Sequence, residues 1–117
     1  MLIEIILFLF LGFLFGIFTG LAPGIHINLV SAILISLSIS LFSSLNPIYL
    51  VVFIVAMAIT HSFVDFIPSI FLGAPEEGTE LSVLPGHELL KEGRGYEAIM
   101  LTNRGCLAAI FIFILIS

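Results

Sequence analysis

The chain has 117 residues, of which 61% are hydrophobic and 9% charged, and its mean hydropathy is +1.34. Soluble domains carry about 25% charged residues, so this composition excludes one and describes an integral membrane protein. The net charge is −5 with only Lys91, Arg94 and Arg104 basic, too few cations to track nucleic-acid phosphates, and the lone Cys106 excludes an internal disulfide or a multi-cysteine metal site.

Leu2 to Thr19 is apolar apart from Glu4 and carries Gly12 and Gly16 four residues apart. At 1.5 Å per residue it makes about 27 Å of helix, one bilayer crossing. Without a basic leader or a clear cleavage site, this span is expected to stay in the mature protein rather than act as a signal peptide. Gly20-Leu21-Ala22-Pro23-Gly24 then interrupts the hydrophobic run. A single helix from Leu2 to Ser43 would be about 63 Å long, twice the hydrocarbon thickness, so the chain turns back or re-enters here. The second span is expected over 29–43 and the third over 48–64, with Asn46-Pro47 as the turn between them.

Asp65, Pro68 and Gly73 interrupt the next apolar stretch, and Pro75 follows it. Its length suits a re-entrant or half-membrane segment over 65–75. The polar stretch 76–97 reads as a loop holding a short helix that Leu84-Pro85 opens and Gly93 ends. The last span is expected over 98–116. All three basic residues lie at its start, so the positive-inside bias puts the loop in the cytoplasm. Tyr49 and Tyr96 suit interfacial anchors. The fold class is thus an all-α integral membrane protein with three to four transmembrane helices and one broken or re-entrant segment.

Two groups of residues bear on chemistry. Pro23 and Gly24 permit a reversal, after which a new helix offers free amides and a positive dipole end to an anion. His26 and Asn28 add side-chain donors. The plainer reading is a hairpin turn with both side chains in water. His61 and Asp65, four apart on one helical face, suit a coupling ion, with Ser69 nearby. The plainer reading makes Asp65 a helix cap. Gly73 and Pro75 belong to a small-residue turn whose backbone suits substrate contact, while Glu76 and Glu77 read as exposed. The helix around His87 reads as a solvated interfacial face. No metal-ligand cluster, nucleophile–base set or cofactor fingerprint is present, so no cofactor and no enzymatic activity are expected.

Phe63-Val64-Asp65-Phe66-Ile67-Pro68-Ser69-Ile70-Phe71-Leu72-Gly73-Ala74-Pro75, then Leu84-Pro85-Gly86-His87 and Gly93-Arg94-Gly95-Tyr96-Glu97-Ala98, follow the Gly20–Gly24 motif in a fixed order. Together they resemble the large membrane subunit of tripartite tricarboxylate transporters, the TctA family, in its archaeal branch. The resemblance covers most of the chain and corresponds to the N-terminal quarter to third of a family member. It implies a multi-pass permease in the cell membrane that carries a small organic anion, is coupled to an ion gradient, and is possibly fed by a substrate-binding protein. The expected partners are the lipid bilayer, the anion, and a second copy of the chain or the other half of a permease. Pro23, Gly24, His26, Asn28, Ser69, Gly73 and Pro75 would meet substrate; His61 and Asp65 would take the ion. The alternatives are a carrier or flippase for an anionic lipid such as a polyprenyl phosphate, and a scaffold subunit that packs against a larger permease through Gly12 and Gly16.

Overall fold

The computed structural model describes residues 1–41, 45–74 and 80–116. All regular structure among them is helical: α1 (Leu2–Leu21), α2 (Ile27–Leu41), α3 (Pro47–Val64), α4 (Phe66–Leu72), α5 (Glu80–Lys91) and α6 (Gly95–Ile116). Three apolar runs are long enough to cross a membrane: Leu2–Leu21, Pro47–Leu72 and Gly95–Ile116. The large apolar side chains along α1 and α6 are mostly exposed, as a surface bathed in lipid requires. The helices fall into two compact units, Met1–Asp65 and Phe66–Ser117.

In the first unit α1 and α3 run in the same direction. Tyr49 Oη donates to Glu4 Oε2 at 2.8 Å and the Tyr49 ring stacks on Phe8 at 5.3 Å, so both helices start at one end. The Met1 ammonium pairs with the same Glu4 carboxylate. The chain between them must return, and α2 supplies about 22 Å of that path. α3 starts under an Asn46 cap, whose side chain accepts from the Ile48 amide at 3.1 Å, with Pro47 at the first helical position.

The α1–α3 contact is backbone to backbone. A Cβ at Gly12 would overlap the Phe53 carbonyl oxygen, one at Gly16 would lie 2.6 Å from the Met57 oxygen, and one at Gly20 would lie 2.9 Å from Val64 Cβ. The scaffold alternative had Gly12 and Gly16 packing against a larger permease. That expectation is corrected: α3 of the same chain already fills the stripe, which extends to Gly20. Small residues permit this approach, and close van der Waals packing is what holds helices together in lipid. Met57 is fully buried beneath the contact.

In the second unit α4, α5 and α6 pack around Ile70, Val83 and Ala98. α4 ends at Gly73 (φ +64), where the Gly73 amide donates to Ile70 O and the Ala74 amide to Ser69 O. The same pair of bonds closes α5 at Gly93 (φ +79): Gly93 to Leu90 O and Arg94 to Leu89 O, at 2.9 and 2.8 Å. Both are Schellman caps, which need a left-handed residue and therefore favour glycine. Gly93 thus ends its helix as expected, but Leu84-Pro85 does not open it. α5 starts at Glu80, and Pro85 is its sixth residue. Pro85 deprives the Leu81 carbonyl of its helical donor, and Leu81 is highly exposed, so that carbonyl can meet solvent.

Candidate functional site

The Pro23–Gly24 break is a type II turn. The Ile25 amide donates to Ala22 O at 3.3 Å, and Gly24 has φ +83 at the turn's third position. The His26 carbonyl then accepts from the Leu29 and Val30 amides at 3.0 and 3.2 Å and starts α2. The amides of His26, Ile27 and Asn28 donate to no described residue, and the side chains of His26 and Asn28 are exposed. This end of α2 therefore presents three unused amides, two polar side chains and the positive end of the helix dipole. Pro23, Gly24, His26 and Asn28 come together as one feature.

His61 and Asp65 occupy different surroundings in the same unit. His61 is 3% exposed, and its Nδ1 lies 3.1 Å from Thr19 Oγ1. The Thr19 hydroxyl donates to Phe15 O at 3.0 Å and reaches Gly16 O at 3.3 Å, so its remaining capacity toward the imidazole is as an acceptor. That fits a His61 protonated at Nδ1. The pair joins α1 to α3 beside the glycine stripe. Asp65 is half-buried at the end of α3, and its amide donates to His61 O at 2.9 Å. Its own φ of −62° and ψ of −24° are helical, and α4 starts at the next residue.

Ser69 and Gly73 lie in the second unit. Ser69 is buried, and its carbonyl serves the Gly73 cap. Pro75, Glu76 and Glu77 lie outside the described residues. His87, read from sequence as part of a solvated face, is corrected to a packed position. Its Nδ1 donates to Ile70 O at 2.7 Å, and its ring lies where a Gly73 Cβ would stand, 2.9 Å from that position. A carbonyl only accepts, so Nδ1 carries a proton here too.

The three basic side chains differ. Lys91 pairs with Glu88 at 2.9 Å, and Arg94 holds Glu97 and Glu92 at 2.8 and 3.2 Å. Lys91 beside it keeps the Glu88 carboxyl below the ordinary range, and Glu97 and then Glu92 push the Arg94 guanidinium higher still. Arg104 is exposed and has no ion pair among the described residues. It was placed at the start of the last span, but α6 begins at Gly95 and Arg104 is its tenth residue of 22. It therefore sits about 14 Å along a 33 Å helix. A charge held at the centre of a bilayer-spanning helix costs about 2.5–3.5 kcal/mol on insertion scales.

The chain matches the Tripartite tricarboxylate transporter TctA family over residues 6–117. It belongs to that family. The chain is also 41% identical over 112 residues to the uncharacterized protein MJ1079 of Methanocaldococcus jannaschii. The matched part is 96% of this chain and 27% of that protein, so the chain spans about a quarter of its relative's length. No solved structure matches it.

Sequence reasoning on this TctA-family chain missed Thr19, the packing of His87 and the place of Arg104 along its helix. Thr19 stands next to Gly20 in a row of glycines four apart, a faint sign that it borders a helix contact. Nothing local points from it to His61, 42 residues away.

Proposed function

We propose that the chain forms part of a permease that moves a small organic anion across the cell membrane, driven by an ion gradient. The observation that carries this reading is the Pro23–Gly24 turn, with three unused amides beside His26 and Asn28, in a chain of a tricarboxylate-transporter family. Transporters use such helix ends for anionic substrate groups and broken backbone for the coupling ion. In this reading His26, Asn28 and the start of α2 take the anion's carboxylate. Asp65 takes the coupling ion, a proton or sodium, with His61 as its neighbour one turn earlier. α4 and its Gly73 turn form the re-entrant segment, with Ser69 and Gly73 toward substrate.

Three long helices can hardly enclose a polar pathway, and transporter sites form between related repeats. The pathway is completed by a second copy or by the remainder of the permease, and a substrate-binding protein delivers the anion. The test is uptake of a labelled carboxylate panel by vesicles from cells expressing the chain, with and without an imposed sodium or proton gradient. Gradient-dependent accumulation of a carboxylate supports the proposal; accumulation of none counts against it.

A further inference from the structure

In the first unit, α1, α2 and α3 leave between them a cavity of about 260 Å³ with a wholly apolar lining. α1 supplies Phe8, Leu11 and Phe15, α3 supplies Leu50 and Phe53, and α2 supplies Leu34. Its walls stand before anything enters. Phe8 stacks on Tyr49 at 5.3 Å, and Phe15 meets Phe53 edge-on at 5.5 Å. Both ring pairs bridge α1 and α3, whose backbones already touch along Gly12 and Gly16, so these two helices cannot close further over the space. Leu11 and Phe15 are exposed, so the cavity opens at α1 onto its surroundings, which for so apolar a helix are the bilayer. From Phe8 to Phe15 the cavity follows α1 for about 11 Å. A second hollow, against Leu14 and Phe18, shares Phe15 with it and lies farther along the helix. One turn before Phe8 stands Glu4, which the Tyr49 hydroxyl and the Met1 ammonium both meet at the polar end of α1.

We propose that this cavity binds one hydrocarbon tail of a membrane lipid, whose headgroup lies at the level of Glu4 and Tyr49. The inference does not rest on the permease reading above. Water finds no hydrogen-bonding group in the lining, and apolar cavities of on the order of 150 Å³ stay dry and take apolar guests. Left empty, the lining would forfeit its dispersion contacts on that side. A helix is the wrong occupant. It is about 10 Å across with its side chains, and helices in lipid approach one another over small residues. The small face of α1 is Gly12, Gly16 and Gly20, which α3 already covers, whereas the cavity walls are leucine and phenylalanine. A lipid tail is slender, bends to fit large side chains, and is the apolar molecule that surrounds such a chain.

The test is photolabelling in phosphatidylcholine vesicles that hold the chain. They receive a rising fraction of a phosphatidylcholine with a diazirine midway along one tail, and labelled residues are mapped by mass spectrometry after irradiation. Label on Phe8 and Phe53 should saturate. Label on Phe111 and Phe113, which stand exposed on α6, should rise in proportion to the probe. Leu34→Trp fills the cavity and should lose the saturable label while keeping the α6 label, which reports insertion. Leu34→Ala widens the cavity and should keep both. The proposal fails if label on Phe8 and Phe53 is absent, if it rises in proportion as on α6, or if an inserted Leu34→Trp leaves it unchanged. Absent label would mean that a protein segment fills the space. The wild-type saturation needs no variant to fold, and it decides alone if Leu34→Trp does not insert.

Discussion

His61 Nδ1 sits 3.1 Å from Thr19 Oγ1, and both side chains are at most 5% exposed. This bond ties α1 to α3 at the level of the glycine stripe. It also sets the state of the imidazole one turn before Asp65.

Thr19→Val should weaken the α1–α3 pair while keeping its shape. Interhelical hydrogen bonds in bilayers average about 0.6 kcal/mol, whereas a buried donor left without a partner costs about 1–3 kcal/mol. His61 is buried and the substitution is isosteric, so a loss of about 1 kcal/mol is expected, read from unfolding in detergent. A variant as stable as the wild-type chain would remove the bond from the account.

The glycines separate by position. Gly12→Ala and Gly16→Ala place a Cβ against α3 backbone atoms that cannot rotate away, and should destabilise by about 1–3 kcal/mol. Gly105→Ala meets open space and should gain about 0.5–1 kcal/mol from helix propensity. The same unfolding assay checks both. Equal effects at Gly16 and Gly105 would contradict the packing described for α1.

Much of this fold was legible in the sequence. The Pro23-Gly24 pair forces a reversal because proline removes a donor and glycine reaches positive φ, and both requirements are local. Gly93 ended its helix for the same local reason. The partner of the glycine stripe was not legible: a four-residue period shows that a small face exists, and says nothing about which helix fills it. Helix starts were also obscured. Gly93-Arg94-Gly95 reads as loop, yet Gly95 already opens α6, where the Ala98 amide donates to Arg94 O at 3.1 Å. That shift moves Arg104 from the start of its helix toward the middle. His87 looked solvated because its neighbours Glu88 and Lys91 are; only the fold brings it onto Gly73.

Replacing both Pro23 and Gly24 by alanine should impair uptake more than folding. The left-handed Gly24 conformation costs alanine about 1 kcal/mol, and a helix continued through the turn would consume the free amides of residues 26–28. Uptake and unfolding are measured on the same preparation. Normal uptake in the double variant would reduce the break to a simple turn.

The polar residues before α6 are expected on the cytoplasmic side, where Lys91 and Arg94 lie. In a Cys106→Ala background, Glu92→Cys should resist an impermeant thiol reagent in intact cells and react once the cells are opened. Labelling of intact cells would invert the topology.

The most direct test of ion-coupled anion transport is carboxylate uptake driven by an imposed gradient, compared between the wild-type chain and Asp65→Asn. Asp65 ends α3 within the apolar run Pro47–Leu72, and asparagine keeps its size while removing its charge. The account predicts accumulation that collapses with the gradient in the wild-type chain, and its loss in Asp65→Asn at unchanged expression. Accumulation indifferent to the gradient, or undiminished in Asp65→Asn, would contradict it.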